Sequence, residues 1–253
     1  MTAFTYDNSF EGLLCCVFYA FEQQVTPDIL LHSDDVKPLF LEKSFPIVTE
    51  SEKSARVWSA LEKKISPSAC HMLMLVWISE LPEVDLLLFR YIYKAFKSTE
   101  SIELNFGDAD VLACANIYKK VNQSCHKAIQ FVRFQKTSDG VFFAPISPDY
   151  NVLSLVAKHF SNRYADQPWI IYDTKRNYGL YYDLHKTTEI TFSESPVDNS
   201  GKLKAEQLDS EEQLYQQMWK DYFKTMAIKE RINLKLQRQH MPVRYWKYLT
   251  EMQ

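Results

Sequence analysis

A chain of 253 residues that is 46% hydrophobic and 24% charged has an ordinary globular balance, which excludes disorder as its main state and supplies apolar material for one large core or two small ones. Only 5 Gly and 10 Pro stand against 14% Phe, Tyr and Trp, a composition that favours long helices and aromatic packing over an all-β sandwich. The net charge of -3 excludes a protein that coats polyanions over its whole surface, so any nucleic-acid site must be local.

No apolar run reaches the roughly 18 residues of a membrane span. The opening stretch carries Asp7 and Glu11 where a secretory leader carries Lys or Arg. A soluble, cytoplasmic protein without a membrane partner is expected. The five Cys, at 15, 16, 70, 114 and 125, are odd in number and lack CxxC spacing, which points to reduced core thiols and to neither a disulfide framework nor a cysteine-held cofactor or metal.

A short strand at residues 4–6 precedes Asn8 with Glu11 three residues on, a capping-box-like start to a helix. In that helix Phe10, Leu13, Leu14, Val17, Phe18 and Phe21 recur at i, i+3, i+4, i+7, i+8 and i+11. A loop through Lys37-Pro38 leads to a second capping box, Thr49 and Glu52, opening a helix with Trp58, Leu61 and Ile65 on one face. Pro67 sits at a natural helix start; residues 70–78 are apolar on nearly every side, as in a central helix, and 84–96 form its amphipathic neighbour beyond Pro82. Residues 108–127 complete the helical half.

The period then changes. Residues 131–135 and 141–146, joined through Ser138-Asp139-Gly140, read as two antiparallel strands. Pro148-Asp149 punctuates before a helix at 151–164 with Val152, Leu155, Val156, His159 and Phe160 on its inner side. Strands at Trp169-Ile-Ile-Tyr-Asp and Tyr178-Gly-Leu-Tyr-Tyr-Asp flank a turn at Lys175-Arg176-Asn177, and 187–192 is a candidate further strand. Residues 193–210 form a polar connector, and a last helical section starts at Glu211. The order strand, strand, helix, strand, strand predicts an α+β fold, with helical flanks around a small antiparallel sheet. One intertwined domain over 1–253 is expected, because hairpins of this size do not bury a core unaided. A subdivision into a helical 1–127 and a sheet-bearing 128–253 is the alternative.

Residues 226–253 hold Lys229, Arg231, Lys235, Arg238, Arg244 and Lys247 against Glu230 and Glu251, interleaved with Tyr245, Trp246 and Tyr248. Such a pattern suits a nucleic-acid strand, the cations neutralising phosphates and the rings stacking on bases. It equally suits a tail whose aromatics pack inward while the cations face solvent. A second constellation, His126, Arg133, His159, Arg163 and Arg176, surrounds the predicted sheet; it forms either an anion pocket or structural groups paired with carboxylates such as Asp149 and Asp173. Pro148-Asp149 followed by Asp173-Thr174-Lys175 reads as PD…DxK, a pattern that in many nucleases holds a divalent metal with carboxylates and polarises a phosphodiester with Lys. Here a whole predicted helix separates the carboxylates, and turn-capping is the plainer reading. Nucleophile-elbow, Walker A, dinucleotide-fingerprint and His-Glu-x-x-His motifs are absent. The adjacent pairs Cys70-His71 and Cys125-His126 point about 100° apart on a helix and are poor chelators.

Taken as a set, Phe131-Val-Arg-Phe-Gln, Asp139-Gly140, Pro148-Asp-Tyr-Asn, His159-Phe160 with Arg163, Trp169-Ile-Ile-Tyr-Asp with Arg176, Gly179-Leu-Tyr-Tyr-Asp and the ending Gln239-His-Met-Pro-Val-Arg-Tyr-Trp-Lys-Tyr-Leu-Thr-Glu-Met resemble a bacterial family known as probable DNA metabolism proteins. The opening Tyr6-Asp-Asn-Ser-Phe-Glu-Gly-Leu-Leu-Cys is similar as well, so the resemblance runs from about residue 4 to 253. At Ser124-Cys125-His126-Lys127 the chain departs from a family Glu-x-His-Arg pattern, leaving His126 as the residue carried over. The resemblance implies a role in DNA repair or modification, genomic pairing with a radical-SAM protein that acts on DNA, and fusion in some relatives to a uracil-DNA glycosylase domain.

The leading expectation is an accessory protein that binds DNA alongside a radical-SAM partner. Its contacts would be Arg133, Arg163, Arg176, Arg231, Arg238, Arg244, Trp246 and Lys247. The rivals are a DNA-processing enzyme, metal-dependent or glycosylase-like, using Asp149, Asp173 and Lys175 or His126 and His159, and a protein-interaction scaffold without DNA contact.

Overall fold

The computed structural model describes residues 1–36, 38–198 and 201–253, with the backbone alone at Ala205 and Lys229. The expected loop residue Lys37, part of the expected connector at 199–200 and the side chain of Lys229 lie outside the described residues. Mixed helix and strand make the fold α+β. The chain divides into two compact units, Met1–Val121 and Asn122–Gln253. Among the described residues no helix is long and apolar enough to cross a membrane.

In the first unit, β1 (Thr2–Tyr6) is the centre of a parallel three-stranded sheet, with β2 (Ile29–His32) on one side and β3 (Lys43–Pro46) on the other. Neither neighbour shows in the sequence, because each is four residues long and β3 ends in a proline, tolerated here because β3 is an edge strand. Helices α1 (Phe10–Gln23), α2 (Ser51–Lys64), α3 (Pro67–Ile78) and α4 (Val84–Lys97) supply the rest of the core, in which Phe4, Leu13, Leu61, Leu73, Leu88 and Ile92 are fully buried.

The helix starts differ from the expected capping boxes. Ser9 caps α1, its hydroxyl accepting from Gly12 N at 2.9 Å, while Asn8 takes the left-handed backbone (φ 58°) that Asn tolerates. Glu50, and not Thr49, precedes α2, and it makes no side-chain cap. Pro67 does open α3, with Ser66 Oγ accepting from Ala69 N at 3.1 Å. The five cysteines are free, four of them buried, and burial pushes the Cys114 thiol up to about 12.

Helix α5 (Ala109–Phe131) leads into the second unit. There β4 (Gln135–Lys136) and β5 (Phe142–Ile146) pair antiparallel across a turn in which Gly140 supplies the positive φ (82°), but the first strand expected at 131–135 shrinks to β4, because α5 runs on through Phe131. Helix α6 (Leu153–Arg163) crosses to β6 (Trp169–Asp173), followed by β7 (Tyr178–Tyr182) and β8 (Thr187–Ile190), in sheet order β4-β5-β6-β7-β8. The sheet is not wholly antiparallel, because β5 and β6 run parallel. A helical crossover returns the chain to the end from which it left, so its two strands must point the same way. The polar connector also folds back: Val197 bridges to Leu203, and both are buried with Phe143 and Tyr172. Helices α7 (Glu212–Met226) and α8 (Leu234–His240) and the 3-10 segments Val243–Tyr248 and Thr250–Met252 complete the unit.

Gly12 sits where α1 leaves β1. A methyl group there would overlap Asp7 Oδ1 and lie 2.8 Å from Tyr6 Cδ2 and 2.9 Å from Thr49 Oγ1. Gly12→Ala is therefore expected to lower stability by about 1–3 kcal/mol, read as a lower urea midpoint, whereas Gly107→Ala, whose nearest neighbour is Asn105 Oδ1 at 3.4 Å, leaves the midpoint in place.

Candidate nucleic-acid interface

Parallel pairing sets Ile146 beside Asp173 and thereby brings the carboxyl ends of β5 and β6 together. The loops that follow them are neighbours as a result, and Thr174 N donates to Ile146 O at 2.9 Å. Asp173 is wholly buried and fully engaged. Its Oδ1 accepts from Lys175 N (2.9 Å) and Arg176 N (3.3 Å), closing the turn to β7, and its Oδ2 pairs with Arg176 Nη1 at 2.9 Å. Burial without such partners would cost a carboxylate several kcal/mol.

The second loop is tied to the same guanidinium. Arg176 donates to Pro148 O (3.4 Å) and Asp149 O (3.3 Å), and Lys175 Nζ donates to Asp149 O at 3.3 Å. Tyr178 OH donates to Asn151 Oδ1, and burial pushes that phenol up to about 12. A third segment arrives from the C-terminus. Arg244 Nη2 pairs with Asp149 Oδ2 at 2.6 Å, with side-chain exposures of 38% and 50%, and Tyr248 OH shares a 2.8 Å hydrogen bond with Thr174 Oγ1. Lys247 Nζ lies 4.7 Å from the centre of the Tyr248 ring, and the Arg244 guanidinium 5.1 Å from that of Tyr245. Four cations, Lys175, Arg176, Arg244 and Lys247, are thus gathered around one loop cluster.

The C-terminal aromatics face inward. Tyr245 and Leu249 are buried with Phe131, and Trp246 is half-buried beside them, its indole N–H donating to Met241 O at 2.9 Å. Tyr245 and Tyr248 are therefore not stacking faces for bases. Arg231 and Arg238 are exposed, on the 3-10 segment Lys229–Arg231 and on α8, and neither has an ion-pair partner among the described residues.

The expected anion pocket is dispersed. Arg133 is occupied by Glu251 Oε1 at 2.7 Å and by the carbonyls of Gln130 and Val132. His159 lies on the outer side of α6, since Leu153, Val156 and Phe160 take the inner side and His159 is one residue, about 100°, from Phe160. Arg163 shares that exposed side, over the Tyr164 ring at 5.8 Å, and His126 is exposed on α5. No hydrogen bond or ion pair joins His126, Arg133, His159 and Arg163.

The loops that carry Asp149 and Asp173 are neighbours despite the helix between them, because a strand-helix-strand unit of about 30 residues is the length of a parallel crossover, but the Asp149 carboxylate turns to Arg244 while Asp173 is held by Arg176. That spacing was the readable signal. Among the described residues, however, no three His, Cys, Asp or Glu side chains converge as metal ligands, and both Asp173 oxygens are already occupied.

Two networks escaped sequence reasoning. Glu251 joins Arg133 to Trp219 Nε1 (3.0 Å). In the first unit, Tyr6 OH donates to Asp85 Oδ2 (3.2 Å), and His32 Nε2 lies 3.6 Å from the same oxygen. Asp85, an acid inside the run Val84-Asp-Leu-Leu-Leu, was the signal for the second; the first has none, since its members are 118 and 32 residues apart from Glu251.

Burial raises the Glu251 carboxyl, but the hydrogen bonds from Arg133 and Trp219 outweigh it and hold the group below its ordinary range. A depressed folded-state value stabilises the fold above the unfolded value and loses that stabilisation as the pH falls through the folded value. Glu251→Gln is expected to cost about 1.5–3 kcal/mol at pH 7. In urea denaturation across pH, that difference shrinks as the pH drops below the usual Glu value of about 4.3.

No curated protein sequence matches this chain. Among solved structures it is similar to a pGpG-specific phosphodiesterase, PggH, from Vibrio cholerae, at 11% identity over 71% of this chain and 80% of that one, with a TM-score of 0.30. A family model described as a domain of unknown function, DUF4130, matches residues 82–251, which include the whole loop cluster. That match covers well over half of the chain, and the protein belongs to the DUF4130 family.

Proposed function

We propose that the protein is a DNA-binding accessory in DNA repair or modification, acting in the cytoplasm alongside a radical-SAM partner. The carrying observation is the set of cations held around the loops after β5 and β6. Lys175 and Arg176 are oriented by backbone carbonyls, and Arg244 and Lys247 by tyrosine rings, so little side-chain freedom is lost when phosphates arrive. The exposed Arg244–Asp149 pair is the exchangeable element: a phosphate can take the place of Asp149 at modest cost, as surface ion pairs contribute little. Arg231 and Arg238 extend the cationic surface along the chain. The resemblance to DNA metabolism proteins supports the radical-SAM partner and the kinship with chains fused to a glycosylase. The reading needs no catalytic group on this chain.

The test is binding to fluorescent single- and double-stranded DNA across a salt series. Affinity is expected to fall with salt, and a Lys175→Ala/Arg244→Ala variant to lower the slope of log K against log salt by about 1.4–1.8, two phosphate contacts' worth. Asp149→Asn, which frees Arg244, is expected to tighten binding a few-fold at low salt. Absence of binding at low salt, together with stable co-elution with a radical-SAM protein, overturns DNA contact in favour of a scaffold.

A further inference from the structure

A cleft of about 720 Å³ opens in the second unit between α7 and the starts of β5 and β6, away from the cationic loops. Its size is that of small-molecule sites. Trp169 is wholly buried in its wall, Phe142 and Tyr164 lie beside it, and Tyr215 and Trp219 of α7 line the other side. Those two rings are 56% and 41% exposed, although α7 carries other apolar side chains in solvent as well. What distinguishes Trp219 is that it is pinned: its N–H donates to Glu251 Oε2, and Glu251 is held by Arg133. A large ring fixed by a polar bond yet open to solvent is a preorganised stacking face.

The cations lining the cleft are already paired. Arg133 is paired with Glu251, and Lys136 Nζ lies 3.3 Å from Asp209 Oδ2, so the cleft offers no spare cation for a phosphate. Polar atoms remain for a neutral ligand. Glu212 is held by Lys136 N at 3.0 Å and Gln216 Nε2 at 2.9 Å, which fixes an acceptor in the wall, and Gln167 lines the same cleft. Aromatic faces combined with a fixed acceptor and amide side chains disfavour a hydrocarbon and suit a flat, neutral heterocycle.

We infer that this cleft binds an unstacked nucleobase, seated against Tyr215 and Trp219. As a base within a DNA strand, the ligand rests on the DNA-binding reading above; as a free nucleoside it does not. Phe142 and Trp169 begin the two strands whose far ends carry the cationic loops, so the base and phosphate sites lie roughly 17 Å apart along the sheet.

The experiment compares a short oligothymidylate with an abasic strand of equal length by fluorescence anisotropy. The wild type is expected to prefer the base-bearing strand by about tenfold, the scale of ring stacking on a base. Tyr215→Ala removes that preference while leaving abasic-strand affinity unchanged, and Tyr215→Phe restores it. Trp219→Leu, checked for folding by circular dichroism, serves as a second variant; Tyr215, the more exposed of the two, decides if it fails to fold. An unchanged preference in Tyr215→Ala overturns the inference. If neither strand binds, the DNA-binding reading fails on its own account, and saturation-transfer NMR with free deoxynucleosides decides the cleft: a signal lost in Tyr215→Ala supports it, and no signal in the wild type overturns it.

Discussion

The buried carboxylate of Asp173 is the constraint on which the second unit's loop cluster depends. It ends β6, and its two oxygens are satisfied by the amides of the following turn and by Arg176. Because Arg176 also reaches the carbonyls of Pro148 and Asp149, the same guanidinium that neutralises the buried charge fastens the loop after β5. Removing either partner would leave the other charged and unpaired in a dry environment, which is far costlier than losing a surface pair. The parallel pairing of β5 and β6 makes this sharing possible, since only parallel neighbours bring two carboxyl ends to one edge.

The C-terminal segment illustrates how one pattern serves packing and charge together. Tyr245 and Leu249 anchor it in a small core with Phe131, and Tyr248 reaches Thr174. The cations between those anchors then have one direction left, outward, and their charged groups lie over the aromatic rings. The arrangement is the inward-aromatic one of the two the sequence allowed, with the cations left at the surface and Tyr245 and Tyr248 closed to stacking.

The two sites proposed for this unit lie at its two ends. At the carboxyl ends of β5 and β6, cations are in excess over carboxylates and partly exchangeable; at the amino ends, the cations are paired off and aromatic surface is left open. Phosphates and uncharged rings are recognised by just such different environments, the one through Coulomb attraction that salt screens, the other through stacking that salt leaves largely untouched.

Much of this was legible in the chain itself. The α+β class, the β4–β5 hairpin with Gly140, the Pro67 helix start, and α6 between two strands follow from local rules: hydrophobic period, the stereochemistry of proline and glycine, and turn composition. The failures are equally physical. Asn8 and Ser9 are both good caps; Ser9 takes the role, its hydroxyl also donating to Asp7 Oδ1 at 2.6 Å, while Asn8 adopts the left-handed backbone. His159 shares an apolar-looking stripe with Phe160, yet a single 100° step turns it to solvent. The short strands β2 and β3 exist because β1 offers them edges to pair with, and the Arg133–Glu251–Trp219 network joins residues far apart in the chain. By itself the sequence determined the main helices, the strands β5, β6 and β7, and which residue types are on hand, because those depend on neighbours a few residues away. Which strands lie parallel, which carboxylate is buried against which arginine, and where the aromatic cleft opens were decided only by the tertiary structure, because long-range pairing depends on the summed burial of many groups that no local pattern encodes.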